Sequence, residues 1–303
     1  MSKEFSTKKT LKQKLNQEKV AGQILILPFI IGFLAFIAIP MIMSFIFSFT
    51  KYNILSKPKF IGIDNYVALF HDRKFVNSFW VTIRYVIFSV PLRLLMALII
   101  ALLLVKKSKL SGFYRAIYYL PSIIGSSVAV AILWKKMFAS DGVVNGLLGM
   151  LGLPADIAWL GRENTAIWTL IILAVWQFGS SMLIFLAGLK QIPVSLYEAA
   201  IVDGAGTVKK FFKITLPLLT PTIFFNLINQ LINGFMAFTQ SYVITQGKPR
   251  ESTLFYTVYM YQSSFTYNKL GYGCAMAWFM TIFVSIITFI IFKSQDKWVY
   301  YES

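Results

Sequence analysis

Residues 198–217 read EAAIVDGAGTVKKFFKITLP, a charged, glycine-containing stretch between two long apolar runs. It offers a carboxylate (Glu198) beside two small residues (Ala199, Ala200), then an acidic glycine turn (Asp203, Gly204, Gly206). An apolar exit follows at Ile214, Leu216 and Pro217. Such a set grips a protein surface rather than making or breaking bonds. Ile192-Pro193 before it places a proline at the start of a short helix. The small alanines allow close docking, and the glycines supply the positive φ that reverses the chain. A second set of polar residues lies inside apolar runs. Asn226, Asn229, Gln230 and Asn233 recur at three and four residues and share one helix face. Trp176, Gln177, Gly179, Ser180 and Ser181 form one further cluster, and Tyr118, Tyr119, Ser122, Ser126 and Ser127 another. Polar groups at such depth either join helices or line a path.

The elements that must position these residues are membrane helices. Of 303 residues, 57% are hydrophobic and 14% charged, and the mean hydropathy is +0.67. Six apolar runs, near 23–49, 77–105, 113–138, 165–189, 218–245 and 271–292, are each long enough to span a bilayer. Sixteen of the 29 cations fall in the N-terminal tail, the 2–3 and 4–5 connections and the C-terminus, against eleven in the opposite loops. That bias places both termini in the cytoplasm. The net charge of +17 is read as headgroup anchoring and topology information, not as nucleic-acid binding. In the 139–164 loop, Val143, Leu147, Leu148 and Leu151 have helical spacing, as for a short helix at the membrane surface. His71 reads as a solvated loop residue. Arg84 can snorkel outward, whereas Arg93 is deep enough to need a partner.

The spacing of Glu198-Ala199-Ala200, Gly204, Ile214 and Leu216-Pro217 matches without a gap the EAA loop of permease subunits of ATP-binding-cassette (ABC) importers. Thr245-Gln246-Gly247-Lys248-Pro249 resembles the family's TQG-P segment, with Lys248 where a second glycine is usual. Gly271-Tyr272-Gly273-Cys274-Ala275, the ending Trp298-Val299-Tyr300-Tyr301 and IGIDNYVALF at 61–70 extend the resemblance over nearly the whole chain. The chain therefore resembles the sugar-permease branch of that family, relatives of the maltose and glycerol-phosphate permeases. The resemblance implies an all-α membrane protein with six transmembrane helices in the type I importer (MetI-like) permease fold, in the plasma membrane of a prokaryote. One domain over 1–303 would comprise a cytoplasmic tail (1–22) and a cytoplasmic coupling loop (190–217). It implies a second permease subunit, making a heterodimer, together with two ATPase subunits, an extracellular solute-binding protein and a sugar or oligosaccharide substrate. By the same analogy the segment before TQGKP contributes to a sugar site. That implicates Asn233, Phe235, Phe238, Thr239 and Gln240, with Trp176 and Gln177 beside them.

What the sequence lacks sets the class. There is no G-x-x-x-x-G-K-[ST] phosphate loop, so ATP hydrolysis would fall to a separate chain and this one is not an enzyme. A single histidine and a single cysteine leave no ordinary metal or cofactor site and no disulfide. None of the twelve acidic residues lies well inside a span, which disfavours the alternative of a stand-alone secondary transporter or channel. A membrane scaffold or sensor that keeps the loop without translocating is the other alternative.

Overall fold

The computed structural model describes residues 18–106, 110–125 and 127–300. Most of the N-terminal tail, Lys107, Lys109 and Ser126 lie outside them. The first apolar run begins earlier than expected, as α1 (Glu18–Phe33), and continues through a π turn (Leu34–Ala38) into α2 (Ile39–Ser48). Pro40 cannot donate to the carbonyl one turn back, and the ladder relaxes into the π turn just before it. Apolar side chains cover all sides of this helix, and Phe36 is 84% exposed. That surface suits lipid or another membrane subunit, not water.

A two-residue hairpin, β1 (Thr50–Lys51) antiparallel to β2 (Lys59–Phe60), leads to α3 (Asp64–His71). Buried Asn65 fastens it, its Nδ2 donating to the carbonyls of Ser48 (2.8 Å) and Thr50 (2.9 Å). His71 ends α3 exposed, one ring nitrogen 2.9 Å from the Val67 carbonyl.

The central element is α4 (Arg73–Leu104), 32 residues long. One stripe of it is buried, and small residues along it (Ser78, Ser89, Ala97, Ala101) let neighbouring helices approach closely. Asp72 caps it: Oδ1 accepts from the Lys74 amide at 2.9 Å. Its Oδ2 accepts the hydroxyls of Tyr259 and, at 2.7 Å, Tyr272. One carboxylate thus joins three elements. Arg84 on α4 is exposed.

The remaining helices are α5 (Ser111–Ile124), α6 (Val128–Met137), α7 (Val143–Met150), α8 (Glu163–Trp176) and α9 (Gly179–Gln191). They are followed by α10 (Val194–Val202), α11 (Thr207–Lys210), α12 (Leu216–Phe235), α13 (Tyr256–Tyr261) and α14 (Leu270–Ser294). α4 packs against α8, α9, α12 and α13, while α14 packs on α2 and α3. α14 starts where Gly271 passes the outer hairpin, its amide donating to the Tyr52 carbonyl at 3.1 Å. A Cβ at Gly271 would overlap the Thr50 carbonyl, and one at Gly273 would overlap the Ser264 hydroxyl. These close approaches account for the glycines of the GYG start.

The structure departs from six uninterrupted helices. Four helical segments are long and apolar enough to cross a membrane by themselves, and two further spans would be bent pairs: α5–α6 at 100° and α8–α9 at 42°. The fifth span is also interrupted, between Phe235 and a π turn at Gln240–Thr245. Hydropathy cannot register such breaks, because the apolar run passes straight through them. α7 is the expected short helix, with Val143 and Leu147 exposed. Buried Asn145 pins it, donating to the carbonyls of Ser140 and Ile157 at 2.9 Å and accepting from Trp159 Nε1 at 2.7 Å.

Burial works to raise the Asp72 carboxyl, but hydrogen bonds from Tyr259, Tyr272 and the amides of Lys74 and Phe75 hold it below its ordinary value. A carboxylate depressed on folding contributes stability above its unfolded pKa and loses it as pH falls through the folded one. The solubilised protein is therefore expected to lose thermal stability as pH drops below about 4. Asp72→Asn should start lower at neutral pH and fall less steeply, as read by melting in detergent.

Candidate functional site

The three helix breaks converge. Residues beside each of them (Ser122, Gln177, Ala237) line one cavity of about 320 Å³, closed on the far side by Tyr85, Ser89 and Arg93 of α4. Irregular backbone at membrane depth is tolerated only where it is buried in protein or lines a cavity, and these breaks lie beside a cavity with a largely polar lining.

The node is Gln177. α8 stops there, so its carbonyl has lost its helical partner. It accepts instead from Arg93 Nη2 at 2.6 Å and from Ser122 Oγ at 3.0 Å. The Gln177 side chain answers across the gap, Nε2 donating to the Gly125 carbonyl at 2.8 Å, where α5 breaks. Ser122 Oγ also accepts the Ser180 amide at 2.9 Å, in the first turn of α9. Four segments are thereby joined by four hydrogen bonds. Glycine makes the approach possible: a Cβ at Gly125 would strike the Gln177 side chain, and one at Gly179 the backbone of Tyr118 and Tyr119. The partner that Arg93 requires is the carbonyl freed by the α8–α9 break.

Arg93, Ser122, Ser180 and Gln230 line the cavity, and of the residues that the resemblance implicates in a sugar site it adds Gln177, Asn233 and Gln240. The others point elsewhere. Trp176 lies against Trp134, ring centroids 5.8 Å apart. Phe235 is buried on Phe283 at 5.6 Å. Phe238 stacks on Tyr242 at 4.9 Å and meets Tyr261 edge-on at 5.4 Å, with half-buried Thr239 beside it. The α12 polar face divides by role. Gln230 Nε2 donates to Ser181 Oγ at 2.9 Å, and Asn226 reaches the Ser181 carbonyl at only 3.5 Å, so these two join helices. Asn229 turns back to the Phe225 carbonyl at 2.8 Å, and Asn233 faces the cavity. Tyr85 and Ser89 were missed because a hydroxyl in an apolar run carries little signal, whereas Arg93 stood out as a misfit.

The 194–217 segment forms the second surface. No residue of α10 or α11 is buried, and Val202 and Val208 are 88% and 70% exposed. Glu198 and Ala199 are exposed on α10, with Ala200 half-buried. Pro193 caps α10 rather than sitting inside it. At its C-terminus Gly204 takes φ +71°, and the Ala205 amide donates back to the Ala200 carbonyl at 2.8 Å, a helix-reversing cap. Asp203 and Gly206 flank that turn. Lys213 and Ile214 then fall in a π turn (Phe211–Thr215), and Leu216-Pro217 open α12. The Tyr197 and Thr215 hydroxyls meet at 2.8 Å, tying α10 to the base of α12.

Near the outer end, Gln246 and Gly247 take φ of 54° and 82°. Lys248 is not among the positive-φ residues, so its position does not demand the glycine usual there.

A bundle with mid-depth broken helices around a polar cavity, and a detached helical turn carried between two of them, defines a membrane subunit of an ABC importer. The chain belongs to the binding-protein-dependent transport system inner membrane component family, which matches residues 65–299. YesP of Bacillus subtilis (strain 168), named a probable ABC transporter permease protein, is 52% identical, covering 96% of this chain and 95% of its own. AraP of the same organism, an arabinooligosaccharides transport system permease protein, is 32% identical, covering 91% and 88%. The crystal structure of a bacterial alginate ABC transporter, in complex with an alginate pentasaccharide-bound periplasmic protein, aligns with a TM-score of 0.81 and 25% identity. It covers 95% of this chain and 97% of the matched one.

Gln177→Leu keeps the volume but leaves the Gly125 carbonyl without its donor. It is expected to cost about 1–3 kcal/mol of stability, measured as a lower melting temperature of the solubilised chain, whereas Phe238→Leu should shift it less.

Proposed function

We propose that this chain is one half of the translocation path of a carbohydrate importer, working with a second, different permease. Two ATPase subunits would supply the energy, and an extracellular solute-binding protein would deliver the saccharide. Its six spans cross the plasma membrane with both termini and residues 190–217 in the cytoplasm.

The observation that carries this reading is the pairing of the cavity with the exposed 194–217 turn. α9 and α12 both contribute to the cavity, through Ser180 and through Gln230 and Asn233. The turn connects the cytoplasmic ends of those same two helices. A protein that grips the turn therefore moves two walls of the cavity together. Glu198, Ala199 and Ala200 are the gripping face, Asp203, Gly204 and Gly206 set the bend, and Ile214, Leu216 and Pro217 transmit it to α12. Closure of the ATPase pair on ATP would swing the cavity between inward- and outward-facing arrangements.

Saccharide as cargo is favoured by the lining, where amides (Gln177, Asn233, Gln240) and hydroxyls (Tyr85, Ser122) can bridge sugar hydroxyl groups. The Phe238–Tyr242–Tyr261 cluster nearby offers aromatic faces for a pyranose ring. The saccharides named for AraP and for the matched alginate transporter agree with this cargo.

Pull-down of this chain from solubilised native membranes should recover an ATPase, a second six-helix permease and a binding protein. Gly204→Val should still assemble, since open space surrounds Gly204, yet lose uptake because a β-branched residue strains the positive φ. Recovery of the chain alone, or normal uptake by Gly204→Val, would overturn the coupling assignment.

A further inference from the structure

We infer that Arg93 is a recognition residue for an anionic group on the transported solute, so that the cargo is an acidic, hydroxyl-rich molecule. The inference rests on the saccharide reading above and narrows it.

Arg93 is the one charged residue among those lining the cavity, and no carboxylate lies there to pair with it. The ion pairs among the described residues, Lys74–Glu251 and Arg250–Glu163, lie at the outer ends of the helices and in their loops. A part-buried cation without a counter-charge is costly, and at membrane depth an ionisable side chain marks a functional site by default. Capping the α8–α9 break explains only part of its presence. The Gln177 carbonyl already accepts from Ser122 Oγ, an uncharged donor, at 3.0 Å. The partial negative charge at the end of α8 offsets some of the guanidinium charge, and any neutral donor would satisfy the same carbonyl.

What is left over points to a ligand. One edge of the guanidinium is used by the Nη2 bond to Gln177 and Nε is sealed inside the protein, so the end left to meet a solute is Nη1, which has no partner among the described residues. A guanidinium presents its N–H groups as a planar fork matched to carboxylate or phosphate oxygens. A carboxylate on a uronic acid and the phosphate of a sugar or polyol phosphate share this chemistry. Around it, Tyr85, Ser89, Asn233 and Gln240 are suited to hydroxyl groups. The site is therefore built for one anion on a hydroxyl-rich body.

The test uses the whole importer, with partner permease, ATPases and binding protein, in cells lacking competing uptake systems. Radiolabelled probes are matched pairs of neutral and uronate-bearing disaccharides, the methyl esters of the acids, and glycerol 3-phosphate. Wild type should import an anionic probe and take up its neutral or esterified counterpart at least about tenfold more slowly, the worth of a hydrogen bond to a charged group. Arg93→Lys, which keeps the charge and loses the fork, should raise KM for the anionic probe about tenfold while native gels show intact assembly. Arg93→Gln should lose that uptake. Uptake of uronates alone assigns a carboxylate, and of glycerol 3-phosphate alone a phosphate. Uptake of neutral saccharides only, unchanged by Arg93→Lys, would overturn the inference and leave the saccharide reading standing. Uptake of none of the probes would remove the saccharide reading and the inference with it.

Discussion

A carbonyl released in mid-membrane has no water to turn to, and everything around Gln177 follows from that constraint. Leaving it unpaired would cost several kcal/mol in a lipid-like medium. The chain supplies Arg93 from α4 and Ser122 from α5, then repays the α5 break with the Gln177 amide itself. Because the donors come from separate helices, satisfying one break fixes the relative position of three spans. Glycines at 125 and 179 are what allow the backbones to come near enough for those bonds.

The same arrangement explains how a polar cavity persists in so apolar a chain. Bending α5–α6 and α8–α9 opens space that straight helices would fill, and the irregular backbone presents polar groups to it. Gln230 and Ser181 hold α12 to α9 at the cavity wall, so the two walls stay in register. The Tyr197–Thr215 contact does the same at the end that carries the 194–217 turn. Motion imposed at the 194–217 turn therefore has a short, bonded route to the cavity, through helices that carry both.

Much of this was legible in the sequence because it depends on local chemistry. The turn at 198–206 announces itself through glycine spacing, and the structure puts a positive φ at Gly204. The apolar runs announce the six spans. Long-range placement was less legible. Asn226, Asn229, Gln230 and Asn233 have identical spacing signals, yet Asn226 joins helices, Asn229 folds back, Asn233 faces the cavity and Gln230 does both, bonding Ser181 while lining the cavity. Trp176 and Gln177 are neighbours in sequence, but the break between α8 and α9 sends the tryptophan to Trp134 and the glutamine inward. Arg93 was visible as a misfit, while its partner, a backbone carbonyl 84 positions away, leaves no trace in residue type.

Cysteine accessibility would show whether the cavity is a solute path. In the assembled importer, with Cys274→Ser as background, single cysteines replace Asn233 in the cavity and Phe235 in the neighbouring core. A membrane-impermeant thiol reagent is applied from each side, with and without ATP. Asn233→Cys should react from one side in the resting complex and from the other when ATP closes the ATPases, while Phe235→Cys stays inert throughout. Equal protection of both cysteines in every state, or labelling of Asn233→Cys from one side regardless of nucleotide, would contradict a cavity that alternates across the membrane.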